Sequence, residues 1–70
     1  MMPLTMAKSG EGNYIKKVTG KDDVRQHLAE MGFVVGESVN VINEIGGNMI
    51  VDIKGSRVAI CKNMANRIMV

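Results

Sequence analysis

The sequence predicts a mainly β domain with one helix and a small closed sheet of about five short strands. Three observations carry this. Short runs alternate apolar and polar residues, Gly-containing turns separate them, and only "TGKDDVRQHLAEMG" follows a helical period. Strands this short and closely spaced point to a sheet that closes on itself and so removes its own edges.

The 70 residues suffice for one domain, residues 1–70, near the lower size limit for folding without staples. The hydrophobic share is 46%, too high for a disordered tail, yet the aromatics are Tyr14 and Phe33 alone. Val, Ile, Leu and Met must therefore fill the core. A single Cys excludes an internal disulfide and fits a reducing compartment. No run approaches a membrane span, and "MMPLTMAKSGEG" lacks a signal-peptide layout, so a soluble, cytoplasmic protein is expected.

"PLTMAKSGEG" opens with a short helical turn capped by Thr5. "NYIKKVTG" supplies a first strand, Tyr14 to Val18. In the helix, Thr19 and Asp22 have capping-box spacing, and Asp22 and Asp23 favour its positive end. Val24, Leu28 and Met31 form one apolar stripe, and Gly32 falls where a left-handed residue ends a helix. Phe33, Val34 and Val35 then precede Gly36. Apolar residues just past such a C-cap pack back on the last helical turn. That accounts for Phe33 and one valine and leaves an exposed apolar residue that can mark a partner site.

Next, "VNVINEI" places Val39, Val41 and Ile45 on one face. "GGN" is a hairpin turn, "MIVDI" points Met49, Val51 and Ile53 inward, and "KGS" is a second turn. "RVAI" turns Val58 and Ile60 inward, "CKNMA" reads as one helical turn, and "NRIMV" closes with Ile68 and Val70 on one side.

The segment "VRQHLAEMGFVVGESVNVI" resembles the most characteristic stretch of the FeoA family, roughly Leu-Ala-Glu-Met-Gly-Phe-x-x-Gly. "GSRVAICKNMANRIMV" is similar to the family's closing segment and "PLTMAKSGEGNYIKKVTG" to its opening. Members often carry Pro where this chain has Val35, which frees φ there and loosens the loop. The resemblance implies an SH3-like five-stranded barrel. It also implies a non-enzymatic cytoplasmic accessory protein of bacterial ferrous iron uptake, docking on the cytosolic region of the FeoB transporter. The same fold resembles the C-terminal domain of iron-dependent repressors, so a metal-responsive domain is the alternative; no helix-turn-helix accompanies it here. A third reading is stimulation of the FeoB GTPase by an arginine supplied in trans, from Arg25, Arg57 or Arg67.

The candidate partner-binding patch is Met31, Phe33, Val34 and Arg25. His27 and Cys61 are weak metal candidates: neither belongs to a recognisable ligand set, so no cofactor is expected beyond adventitious Zn or Fe. His27, beside Val24 and Met31, is expected to pack against the sheet. The seven methionines are read as terminal residues or gap-fillers for the missing aromatics. No nucleophile–base spacing or phosphate-binding loop supports catalysis. Aromatic scarcity argues against proline-rich ligands and against base stacking. A net charge of +2 without a concentrated basic face argues against nucleic acid. The charges fall in blocks: Glu30, Glu37, Glu44 and Asp52 precede Lys54, Arg57, Lys62 and Arg67. Solvated strand faces explain this; a two-signed surface orienting a partner is the sharper reading. A monomer or weak self-association is expected.

Overall fold

The computed structural model describes residues 1–70. A 3₁₀ turn, Leu4–Met6, leads into β1 (Gly12–Tyr14), β2 (Lys17–Val18) and α1 (Asp22–Glu30). Then come β3 (Ser38–Ile45), β4 (Asn48–Ile53), β5 (Ser56–Cys61), the one-turn α2 (Lys62–Ala65) and β6 (Ile68–Met69). The mainly β architecture with one main helix is the one the sequence predicts. An antiparallel sheet runs β1-β3-β4-β5, and β2 pairs with β6 in a second, smaller sheet.

The expected first strand, Tyr14 to Val18, is in fact two. Ile15 leaves the β1 ladder: its N–H donates to the Glu37 carbonyl at 2.9 Å and its carbonyl accepts from the Gly36 N–H at 2.8 Å. The chain turns a corner there and passes from one sheet to the other, with the Ile15 side chain buried in the core. The expected sheet closure does not occur, because no ladder joins the two sheets and β5 pairs with β4 alone.

Two expected caps are also absent. Thr19 stays with the small sheet, its N–H and hydroxyl both donating to the Arg67 carbonyl, at 2.7 and 3.3 Å. Its hydroxyl is therefore spent, and Lys21 takes the N-cap position with no side-chain bond. Thr5 lies inside the 3₁₀ turn, and its hydroxyl donates to Asn66 Oδ1 at 2.6 Å, tying the N-terminal segment to the end of α2.

The hairpins form at Gly46–Gly47 and Lys54–Gly55 as predicted. Val39 and Val41 face the core, but Ile45 is 61% exposed, against expectation. A bulge is the reason. Val41 pairs with Val51 while Asn43 pairs with Ile50, so Ile42 is an extra residue and the inward face flips beyond it. Met49, Val51, Ile53, Ile60, Ile68 and Val70 are buried as read. Phe33 is the one aromatic among the 13 buried residues of the core cluster, so aliphatic side chains do fill the rest.

The helix stop follows the sequence closely. The Phe33 N–H donates to the Leu28 carbonyl at 2.9 Å, and the Gly32 N–H to the Ala29 carbonyl at 3.0 Å. These are the two bonds of a Schellman motif, with Gly32 at φ +104°. A Cβ on Gly32 would meet only side-chain atoms of Lys54 and Ile53, at 3.5 Å or more, so space is not limiting. Gly32→Ala should therefore lose about 1–2 kcal/mol from backbone strain alone, read as a lower urea midpoint at unchanged slope.

Candidate functional site

The turn after α1 builds an apolar groove. Phe33 follows the Schellman glycine, and its ring is 1% exposed. The Glu37 N–H then donates to the Val34 carbonyl at 3.1 Å, closing a four-residue turn. Gly36, third in that turn, has φ +92°, which fits a type II turn with Val35 at the position where Pro is common. The turn closes without the Pro and is tied to Ile15 on its far side. Val35 points outward, 66% exposed.

Between this turn, α1 and β2 lies a shallow groove of about 420 Å³. Phe33 and Ala29 line it with Val18 of β2, the half-buried Val34 and the exposed Val35; Arg25, Asp22 and Gln26 form the rim. Arg25 bonds Asp22 Oδ1 at 2.7 Å, so its guanidinium is held along the helix. The structure thus brings together Arg25, Phe33 and Val34 of the sequence-predicted patch. Met31 is half-buried against the core and does not line the groove. Phe33 offers little surface, being part of the core. Val35 is the residue that sequence reasoning left out of the patch, although Gly36 marks a turn there and turns lie at the surface.

A larger depression, about 650 Å³, lies over the outer sheet face and is lined entirely by non-hydrophobic residues. Its charges satisfy one another. Arg57 bonds Asp52 at 3.1 Å, and Lys54 lies 3.8 Å from Glu37. The hydrogen bond and charge of Asp52 raise the Arg57 pKa, so Arg57 stays cationic. Lys62 pairs with Glu44 further along. Three residues of the acidic block, Glu37, Glu44 and Asp52, therefore pair with three of the basic block, Lys54, Lys62 and Arg57. This agrees with solvated strand faces and leaves little of a two-signed surface. Exposed pairs of this kind contribute little stability each.

His27 is exposed on α1, not packed against the sheet as the sequence suggested. The apolar stripe runs through Val24 and Leu28, and His27 lies outside it. Cys61 is exposed at the end of β5. No group of three or more His, Cys, Asp or Glu side chains converges in the chain. Of the three candidate arginines, Arg25 and Arg57 are held in ion pairs, and Arg67 lies over Gly20, its Cδ 3.5 Å from where a Cβ would be. No helix is long and apolar enough to cross a membrane.

The FeoA domain model matches residues 2–70. The chain belongs to the FeoA family. It is 39% identical, over all 70 residues and 85% of the relative, to a Methanocaldococcus jannaschii protein assigned to Fe(2+) transport as protein A. Among solved structures it is similar to an iron uptake regulatory protein, FeoA, at 30% identity and TM-score 0.87, covering 96% of this chain and 89% of that one. The FeoA of Stenotrophomonas maltophilia, described as a prokaryotic SH3 domain protein and solved with zinc, matches with TM-score 0.84 at 24% identity, over 99% and 88% of the chains. The fold is therefore SH3-like, and the family's link is to ferrous iron transport. A manganese-dependent transcriptional repressor shares the fold, at TM-score 0.83 and 17% identity, over 94% of this chain and 38% of that one.

The FeoA-like motif, Leu28 to Gly36, is also the segment that builds the groove: Leu28 and Phe33 anchor it, Gly32 and Gly36 turn it, Val34 and Val35 line it. Val35→Pro should stabilise the fold by about 0.4–1 kcal/mol, since no backbone acceptor uses the Val35 N–H. Denaturant unfolding checks this. Phe33→Ala should cost about 3–5 kcal/mol, a large part of what a domain this small can have. His27→Ala and Cys61→Ser should each stay within about 0.5 kcal/mol of wild type.

Proposed function

We propose that this FeoA-family chain is a non-enzymatic, cytoplasmic accessory protein of ferrous iron uptake that docks on the cytosolic region of the FeoB transporter. The contact surface is the groove between α1 and the 33–36 turn. One observation carries the assignment to that groove: Val35 stands exposed beside an apolar floor, in the motif on which the family resemblance rests. Val35 continues the apolar lining of Val18, Ala29 and Val34, and a contiguous apolar patch with a polar rim is what an interface core is made of. Arg25 and Asp22 on the rim suit a polar margin that sets orientation.

The metal-responsive reading has the shared fold behind it and no assembled ligand set. The GTPase-stimulating reading has no feature that singles out one arginine: Arg25 and Arg57 sit in exposed ion pairs that are easily left, and Arg67 lies over Gly20. Zinc or iron bound to this protein would be adventitious on this reading.

Amide NMR of the labelled protein, titrated with the cytosolic portion of FeoB, tests the proposal. Shifts should cluster on Arg25, Ala29, Val34 and Val35. Val35→Asp should weaken binding at least about tenfold, as charge in an interface core does, with an unchanged melting temperature. Binding that is indifferent to Val35→Asp and Val34→Asp would remove the groove from the account. Anaerobic Fe(II) should leave the melting temperature unchanged; a rise with concentration would favour the metal-responsive reading instead.

A further inference from the structure

β5 is an edge strand with its outer side open. Its hairpin partner fixes which backbone groups point outward. The two-residue turn makes Ile53 and Ser56 a hydrogen-bonded pair, and the pairs Val51–Val58 and Met49–Ile60 follow at every second residue. The Lys62 N–H, donating to the Gly47 carbonyl at 3.1 Å, continues that phase. The alternate residues Arg57, Ala59 and Cys61 therefore turn their N–H groups away from β4, and Arg57 and Ala59 their carbonyls as well. None of these groups has a partner among the turn, loop and cap bonds. All three residues are solvent-exposed.

Edge strands are normally blunted by a Pro, a bulge, a Lys or an inward-pointing charge. β5 has no Pro, bulge, Lys or inward-pointing charge: it reads Ser-Arg-Val-Ala-Ile-Cys and pairs without a shift along its length. Its one charged side chain, Arg57, is turned outward and paired with Asp52, which leaves the Ala59 stretch of the edge unguarded. The bulge on β3, which elsewhere would serve this purpose, lies inside the sheet.

We infer that β5 is a pairing edge for a second copy of this chain, joined antiparallel about a two-fold axis at Ala59. The pattern of side chains suits this occupant, because the strand meets its own copy with no clash of size or charge. In that register Ala59 faces Ala59 of the other copy, small against small, and the two exchange two N–H···O=C bonds. The Cys61 N–H of each copy meets the Arg57 carbonyl of the other, adding two more. Arg57 lies opposite Cys61, so no like charges face each other across the seam. The outward apolar residues beside the edge, Ile50 and Ala59, become continuous across it, and Ile45 and Cys61 lie next to them in the ladder order. Two four-stranded sheets become one. The contact is narrow and mostly backbone, which makes it a weak, concentration-dependent dimer and not an obligate one.

Sedimentation equilibrium and amide NMR over micromolar to millimolar protein test this. The wild type should dimerise toward the millimolar end, with concentration-dependent shifts confined to β5 and its immediate neighbours. Ala59→Pro removes the central edge donor without touching the β4 ladder, and Ala59→Lys sets two cations against each other at the axis. Both should be monomeric throughout with folded spectra; if the Pro variant fails to fold, the Lys variant decides. Val35→Asp should leave the dimer intact, which separates this surface from the FeoB groove. A protein monomeric at every concentration overturns the inference. A dimer that survives the Ala59 variants, or shifts centred on the 33–36 turn, overturns it equally.

Discussion

The bond from the Phe33 N–H to the Leu28 carbonyl is the constraint on which the rest of this small fold depends. It ends α1 and reverses the chain through Gly32. It also drives the one aromatic core residue into a space that aliphatic residues surround. Burying such a ring contributes about 1.5–3 kcal/mol, and a domain of this size has few other large side chains to offer. The same reversal fixes where β3 begins and brings the 36–37 backbone against Ile15, where the chain crosses from one sheet to the other. Helix, corner and sheet thus meet at one point, and the groove is the external surface of that junction.

This arrangement explains how a protein with so few aromatics can carry an apolar groove. The ring supplies the floor without being exposed to solvent, and small aliphatic residues supply the accessible part. A groove built this way is shallow. It suits an aliphatic segment of a partner better than an aromatic or proline-rich one. The larger depression on the sheet face differs in kind: no hydrophobic residue lines it, and its charges pair within the chain. The acidic-then-basic order of the sequence is the trace of antiparallel pairing: β4 and β5 run back past each other and set Asp52 beside Arg57.

The sequence by itself determined the local punctuation of the fold. Gly32 after an apolar helical stripe, Gly46–Gly47 and Lys54–Gly55 between alternating runs, and the inward residues of β4 and β6 were all legible. Each depends on neighbours a few positions away and on backbone geometry that few residue types allow. Part of the candidate groove was legible for the same reason: Arg25, Phe33 and Val34 all line it, and an apolar surplus at the helix exit was the signal.

What the tertiary structure alone decided were the places where a distant segment competes for a group. Thr19 had capping-box spacing, but the Arg67 carbonyl, remote in sequence, claimed its hydroxyl. Ile45 alternated correctly, but the bulge at Ile42 turned it outward. Tyr14 to Val18 read as one strand, but β3 and β6 each claimed a part of it. The exposed member of the Phe33–Val35 triplet was settled by the turn that Gly36 closes against Ile15, which placed Val35 in solvent and Phe33 in the core. Periodicity specifies which side chains share a face; only long-range hydrogen bonds specify where that face is interrupted.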